Sequence, residues 1–368
     1  MQENFIIPEN KSLVNVSSDI FSHFGLRTET DGIGLNYNHK KLCFILLDGL
    51  GWNIYEKTGI KFKNEMKCTS VFPSTTSNAL SSFFLNRYPG QHGIIGYQLY
   101  IRQLGSIVNI LGYTSSAAYI RDSMERAYPM STIFNYESKI TALNRAGYST
   151  VNIIPSFINK TSFSTLLYGN NNTDIYSNVF HSFYVLEDNL KKGIDFISFY
   201  LPDVDQIAHK LGPYDQYTVE TARYILQTLI SVMEKYDDYD FVITADHGHV
   251  EVGNTINLGN DSKLMDLSIL PPYGDSRALF LENTSEIKEY MENNYKNLQI
   301  VSKGDTMYAT LLGKIDGNVM PKLPGLIGIA GNNDIYHFPL NQRKYSMKGA
   351  HSGLLKEEME IPVLVFQN

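Results

Sequence analysis

The residues of this chain best able to do chemistry are acids and imidazoles that directly follow short apolar runs. Asp48 follows Leu42-Cys43-Phe44-Ile45-Leu46-Leu47 and leads into Gly49-Leu50-Gly51. Asp203 and Asp205 follow Phe196-Ile197-Ser198-Phe199-Tyr200-Leu201, with His209 one helical turn beyond Asp205. Asp246 and His247 follow Phe241-Val242-Ile243-Thr244-Ala245, and Gly248 supplies a turn. Taken singly, an Asp after a strand is an ordinary helix cap or turn former, and a lone His is ordinarily structural. Gathered at one edge, carboxylates repel unless a cation or a proton compensates. Carboxylate with imidazole and no cysteine is the donor set of zinc or manganese rather than of softer metals.

Hydroxyls are the second reactive group. Phe72-Pro73-Ser74-Thr75-Thr76-Ser77-Asn78-Ala79-Leu80 runs from a Pro-bearing turn into an apolar helix through Phe84, and Tyr88-Pro89-Gly90-Gln91-His92-Gly93 makes a second turn after it. A hydroxyl at a helix start sits beside unpaired N–H groups and the positive end of the dipole, which favours an attacking alkoxide and a phosphoryl group. A plain Ser/Thr cap is the simpler alternative.

The elements that must position these groups follow from the apolar pattern. Leu42 to Leu47, Thr150 to Ile154, Phe196 to Leu201 and Phe241 to Ala245 read as short strands buried on both faces, alternating with amphipathic helices. That alternation implies βαβ units and a mainly parallel sheet, whose strand ends form the ligand edge. Tyr217 to Met233 places Val219, Ala222, Leu226, Leu229, Ile230 and Met233 at helical spacing, so one stripe packs on the sheet. From about Asn254 the texture changes: Pro271-Pro272-Tyr273-Gly274 opens strand (Ala278 to Leu281), helix (Ser285 to Tyr295) and strand (Leu298 to Val301). The expectation is an α/β core of residues 1–254 and 326–368, a mainly parallel sheet sandwiched by helices, with a small inserted α+β lobe at 255–325. Residues 98–190, rich in Tyr, Ser and Asn, read as loops and short helices over one face.

Composition narrows the function classes. With 368 residues, 43% hydrophobic and 19% charged, the chain is globular rather than extended and disordered. Lys plus Arg number 31 against 38 Asp plus Glu, a net charge of −7, so the basic excess needed for stable duplex binding is missing. Two cysteines, Cys43 and Cys68, are too few for a disulfide framework, and Cys43 reads as a buried free thiol. The amino-terminal stretch lacks a basic start and a long apolar segment, and no apolar run approaches the roughly 20 residues of a membrane span. A soluble, cytoplasmic protein is therefore expected, with its oligomeric state unreadable.

The order of motifs resembles the alkaline phosphatase superfamily, and within it the nucleotide pyrophosphatase/phosphodiesterase branch. The resemblance rests on Asp48, then Phe72-Pro73-Ser74-Thr75-Thr76 with Pro89-Gly90-Gln91-His92-Gly93-Ile94, then Asp205-Gln206-Ile207-Ala208-His209-Lys210-Leu211-Gly212-Pro213, then Thr244-Ala245-Asp246-His247-Gly248, then Gly349-Ala350-His351-Ser352-Gly353. It implies two metal ions, zinc with manganese as the other choice. One would be held by Asp205, His209 and His351, the other by Asp48, Asp246 and His247 with the Thr76 hydroxyl. It further implies attack by Thr76 on a small-molecule phosphate ester, a phosphothreonine, and its hydrolysis by water. Thr76 is preferred to Thr75 because its distance before His92-Gly93-Ile94 is that of the branch. Where the branch has an asparagine that contacts a phosphate oxygen, this chain has Tyr97, whose hydroxyl can still donate to an oxyanion. Asn78 is the other candidate donor.

Diesters and pyrophosphates are favoured over monoesters, because the candidate clamps for a doubly charged phosphoryl group, Arg87 and Arg121, sit in no recognised position. A phosphonate hydrolase, a phosphomonoesterase or a non-catalytic ligand-binding member are the alternatives. A sulfatase lacks its C/S-x-P-x-R context, and a phosphoglycerate mutase of the superfamily uses a serine and a different large insertion. His249 reads as a residue behind the ligands, and His92 as a stabiliser of its turn.

Overall fold

The computed structural model describes residues 4–8, 11–117, 120–282, 284–339 and 346–367. Its main strands, in chain order, are β1 (Lys41–Leu47), β2 (Asn64–Thr69), β3 (Thr150–Pro155), β4 (Thr173–Tyr176), β5 (Phe196–Leu201), β6 (Tyr239–Thr244), β7 (Tyr273–Gly274), β8 (Ala278–Leu281), β9 (Leu298–Ser302), β10 (Leu326–Ala330) and β11 (Glu360–Phe366). The helices that matter to the site are α1 (Leu13–His23), α2 (Trp52–Thr58), α3 (Thr76–Leu85), α4 (Val179–Lys191), α5 (Asp203–Leu211), α6 (Gln216–Met233) and α7 (Ser285–Asn294).

A seven-stranded sheet runs in the order β2-β11-β6-β1-β5-β3-β4. β1 lies parallel to both β5 and β6, and β3 parallel to β4 and β5, whereas β11 is antiparallel to both of its neighbours. Every residue of β3, β5 and β6 is buried, as the continuous apolar runs require of central strands covered on both faces. On one face Phe44 of β1 stacks on Phe83 of α3 with centroids 4.0 Å apart, and Phe21 of α1 packs against Phe83 and Phe196. α6 packs on α2, α4 and α5 to form a second helical layer, burying Val219, Ala222, Leu226, Leu229 and Met233.

The lobe sheet is antiparallel, in the order β7-β8-β10-β9. Its two faces alternate as a pleated strand demands. Leu279 and Leu281 join Ile287 and Met291 of α7 in a small core, while Ala278 and Phe280 join the main one. The sheet runs past residue 325, because β10 lies between β8 and β9 and pairs with both. Residues 98–190 are more regular than expected. They hold β4, the 13-residue α4 and a three-stranded antiparallel meander (Gln98–Ile101, Ser106–Asn109, Thr114–Ser115) whose strands are too short to show a period. Among the described residues no helix is long and apolar enough to cross a membrane.

Candidate active site

The acids meet at the carboxyl ends of three adjacent strands. Asp48 leaves β1 with its N–H donating to Leu201 O at 2.9 Å, and its own carbonyl accepts from the N–H of Asp205 at 3.0 Å in the first turn of α5. Asp246 leaves β6, and its Oδ1 accepts from the backbone N–H of Gly49 and of His247, both at 3.0 Å. Gly49 has φ +77°, and a Cβ there would lie 2.8 Å from Asp205 Cα, so only glycine lets the two strand ends close up. His351 arrives from the loop before β11, where Gly349–Ala350 pairs with Val250–Glu251.

The loop that carries His351 is clamped from below. Buried Arg277 donates from Nε to Glu358 Oε1 at 2.7 Å and from Nη2 to Oε2 at 2.9 Å, and from Nη1 to the carbonyls of Asn332 and Asp334. Glu358 in turn accepts from the N–H of Gly353 at 2.7 Å, and Ser74 Oγ donates to Gly353 O at 2.9 Å while accepting from Ser352 N–H. The turn that leads into Thr76 and the His351 loop thus share one buried network.

Three sets of ligand atoms lie within 4.8 Å of one another: Asp48, Asp246 and His247; Asp205, His209 and His351; and Asp205, His247 and His249. Thr76 Oγ1, at the first position of α3, is 3.2 Å from His247 Nε2. Asp48 Oδ1 and Asp246 Oδ2 are buried without a hydrogen bond and stand 3.5 Å and 3.2 Å from that same nitrogen. Burial, and then the charges of Asp246 and Asp205, push the Asp48 carboxyl well above the usual carboxylate range. Its Oδ2 accepts from the Tyr200 hydroxyl.

The imidazoles are turned for the same purpose. His209 Nδ1 donates to Gly349 O at 2.8 Å and His351 Nδ1 to Ser74 O at 2.9 Å, which aims each Nε2 at the carboxylates. That of His209 stands 3.1 Å from Asp205 Oδ1, and against the opposing effect of burial the Asp205 charge raises the imidazole. Burial, then the neighbouring His247 and His209, hold His351 well below its ordinary value, in the neutral form that binds metal. Orphaned carboxylate oxygens and lone pairs converging without a thiolate fit two hard-to-borderline divalent cations. His249 Nε2 reaches Asp205 Oδ1 at 3.0 Å, and burial lowers its imidazole to about 4.

Two cavities flank Thr76. One, of about 500 Å³, extends under the lobe past Tyr273, Leu279, Tyr336 and Phe338 and includes His209 and His351. The other, of about 470 Å³, extends past Leu80, Phe157, Phe163 and Tyr168 and includes Asp48 and Tyr200. Thr76, Tyr97, Leu111 and Asp205 line both. Tyr97 therefore stands at the junction. Asn78 does not line either cavity: it is fully buried, and its amide donates to Pro73 O at 2.8 Å, so it braces the turn instead of facing a ligand. Arg121 lines the second cavity, whereas Arg87 lies over the ring of Tyr136 and outside both. Asp275, which no sequence motif marks, reaches from the lobe to Thr75 and to the Tyr97 backbone.

The family model for type I phosphodiesterase / nucleotide pyrophosphatase matches residues 42–322. Among solved structures the chain resembles murine ectonucleotide pyrophosphatase/phosphodiesterase 5, at 14% identity and TM-score 0.67, covering 89% of this chain and 88% of that one. The inactive threonine-to-alanine variant of that murine protein, in complex with AMP, matches equally well, with the same values. Phosphonoacetate hydrolase from Sinorhizobium meliloti 1021, in complex with phosphonoacetate, is similar at 14% identity and TM-score 0.67, covering 93% of each chain. Among curated proteins none matches the sequence.

Proposed function

The chain belongs to the type I phosphodiesterase / nucleotide pyrophosphatase family, and from that premise we propose that it hydrolyses phosphodiesters or pyrophosphates of small molecules with two divalent cations and Thr76 as nucleophile. The observation that carries this reading is the position of Thr76 Oγ1, 3.2 Å from His247 Nε2 at the mouth of two cavities.

Asp205, His209 and His351 would hold one cation, and Asp48, Asp246 and His247 the other, with zinc the first candidate and manganese the second. When bound, such a pair stabilises the attacking and leaving oxygens of an in-line displacement and makes the threonine hydroxyl more acidic. The rest is done by the chain. Thr76 Oγ forms a bond to phosphorus while the bond to the leaving oxygen breaks, giving a phosphothreonine, and water then cleaves that ester on phosphorus. The positive end of α3 favours the extra negative charge during both displacements. Tyr97, on the shared wall, is the candidate donor to a non-bridging oxygen.

Room on both sides of Thr76 favours a substrate with two organic substituents, since a monoester would fill one cavity and leave the other empty. A phosphonate hydrolase is the second reading, supported by the full-length likeness to phosphonoacetate hydrolase. The test is turnover by purified protein supplied with zinc or manganese. Faster release from bis(p-nitrophenyl) phosphate than from p-nitrophenyl phosphate is expected. The reverse order overturns the diester preference, and turnover of phosphonoacetate alone selects the second reading.

A further inference from the structure

Thr75 occupies the N-cap of α3 with the extended backbone of a capping residue, φ −136° and ψ 146°, yet its side chain makes no cap hydrogen bond. In that geometry a threonine oxygen ordinarily accepts from an N–H of the first helical turn. Here Oγ1 is turned away and donates to Asp275 Oδ1 at 3.1 Å. Asp275 belongs to the turn between β7 and β8, and the backbone N–H of Asp275 donates to Ala278 O at 3.0 Å. Its other oxygen, Oδ2, accepts from the Tyr97 N–H at 2.9 Å. Both acceptor atoms are thus engaged, one by the residue before the nucleophile and one by the residue at the junction of the cavities.

The approach is close on the Tyr97 side as well. A Cβ at Gly96 would lie 2.9 Å from Asp275 Oδ2 and 2.8 Å from Phe280, so glycine is what admits the carboxylate. Thr75, Thr76, Tyr97 and Asp275 all line the larger cavity. A buried carboxylate beside a site for an anion opposes the substrate's charge, so its presence calls for a compensating role.

We propose that Asp275 is a positioning residue that withholds the Thr75 hydroxyl from α3, keeping the positive end of that helix uncapped and facing the phosphoryl group brought to Thr76. The inference rests on the reading of Thr76 as nucleophile. Without Asp275 the Thr75 side chain is free to rotate back, accept from the first turn, and compete with a phosphoryl oxygen for the same N–H groups. The lobe then contributes to anion binding through a hydrogen bond, although it supplies no cation ligand.

The test is the affinity of the zinc-loaded protein for inorganic phosphate, by calorimetry, in Asp275→Ala and in the double variant Asp275→Ala with Thr75→Val. Loss of the competition-free helix end is expected to weaken phosphate about tenfold in Asp275→Ala, the scale of one charge-assisted hydrogen bond. Valine has no hydroxyl to cap with, so the double variant is expected to regain most of that loss. A double variant as weak as Asp275→Ala, or an Asp275→Ala protein that binds as wild type does, overturns the proposal. If Asp275→Ala does not fold, Asp275→Ser, too short to hold Thr75, is measured with and without Thr75→Val under the same criteria. Wild-type protein that binds phosphate but fails the rescue sinks this inference alone, whereas wild-type protein that binds none sinks the hydrolase reading with it.

Discussion

The rings of His247 and His351 lie face to face, with centroids 3.7 Å apart and planes 15° from parallel, one imidazole from each of the two triads. Burial and the neighbouring imidazoles hold His351 well below its ordinary value, so that ring does not neutralise Asp48, Asp205 and Asp246 by taking up a proton. Bound divalent cations would compensate those carboxylates. A chelator is therefore expected to lower the melting temperature, and zinc or manganese to restore it. At a hundredfold excess over the dissociation constant the linkage is worth about 2.7 kcal/mol per site. A melting curve indifferent to chelation and to added metal would speak against both triads.

Replacement of Thr76 separates attack from cation binding. Thr76→Ala is expected to lower kcat by at least about 10³-fold, and Thr76→Ser to keep part of the activity. Five carboxylate and imidazole side chains beyond His247 remain in place to hold the ions, so elemental analysis should still find about two per chain. Full activity in Thr76→Ala would refute the assignment.

The Arg277–Glu358 pair is fully buried and bidentate. Breaking it as Arg277→Met leaves Glu358 charged, buried and unpaired, for a loss of about 3–5 kcal/mol in urea unfolding. Removing both charges, as Arg277→Met with Glu358→Gln, should cost less than the single change, because no lone charge is left inside. The opposite ranking would mean that the pair contributes through packing and not through charge.

His92 sets an acid limit on stability. Burial lowers its imidazole from 6.5 to about 3, with the Arg87 charge adding to the effect. Its bonds demand the neutral form: Nδ1 accepts from Ile94 N–H at 3.0 Å, so Nε2 carries the proton toward Ser82 Oγ at 2.9 Å. Between pH 6.5 and 3 the unfolded chain binds a proton there that the folded chain does not. Stability therefore falls as the pH drops through that window, by about 1.4 kcal/mol per unit for this one group. Urea midpoints measured from pH 7 to pH 4 should decline less steeply in His92→Gln; parallel slopes would remove His92 as the cause.

The parts of the fold that sequence made legible are those whose signal is local. β1, β5 and β6 announce themselves as mainly apolar runs, and each is followed within two residues by an acid, so the edge where the acids gather could be read directly. β2 and β11 could not. Asn64–Thr69 is mostly polar and only partly buried on the sheet edge, and β11 carries Pro362, a residue that argues against a strand until the pairing is seen to begin with β6 at Val363. The role of Asn78 failed for a different reason. Its side chain finds a carbonyl within its own turn, a local bond that spacing does not reveal. Asp275 was invisible because its partners lie some 200 and 178 positions away along the chain, and a single carboxylate in a Pro/Gly-rich turn carries no pattern of its own.

The reversed strand has a bearing on how the molecule is made. β11 sits between β6 and β2, so a chain emerging from the ribosome can lay down β1, β5, β3 and β6 in parallel while β2 has nothing to join. Until residues 360–366 exist, β6 is an open edge able to pair with other nascent chains. His351 is delivered only nine residues earlier. The closing of the hazardous edge thus follows closely on the arrival of the last imidazole, and a chain halted before residue 351 has neither a sealed sheet nor the full candidate ligand set.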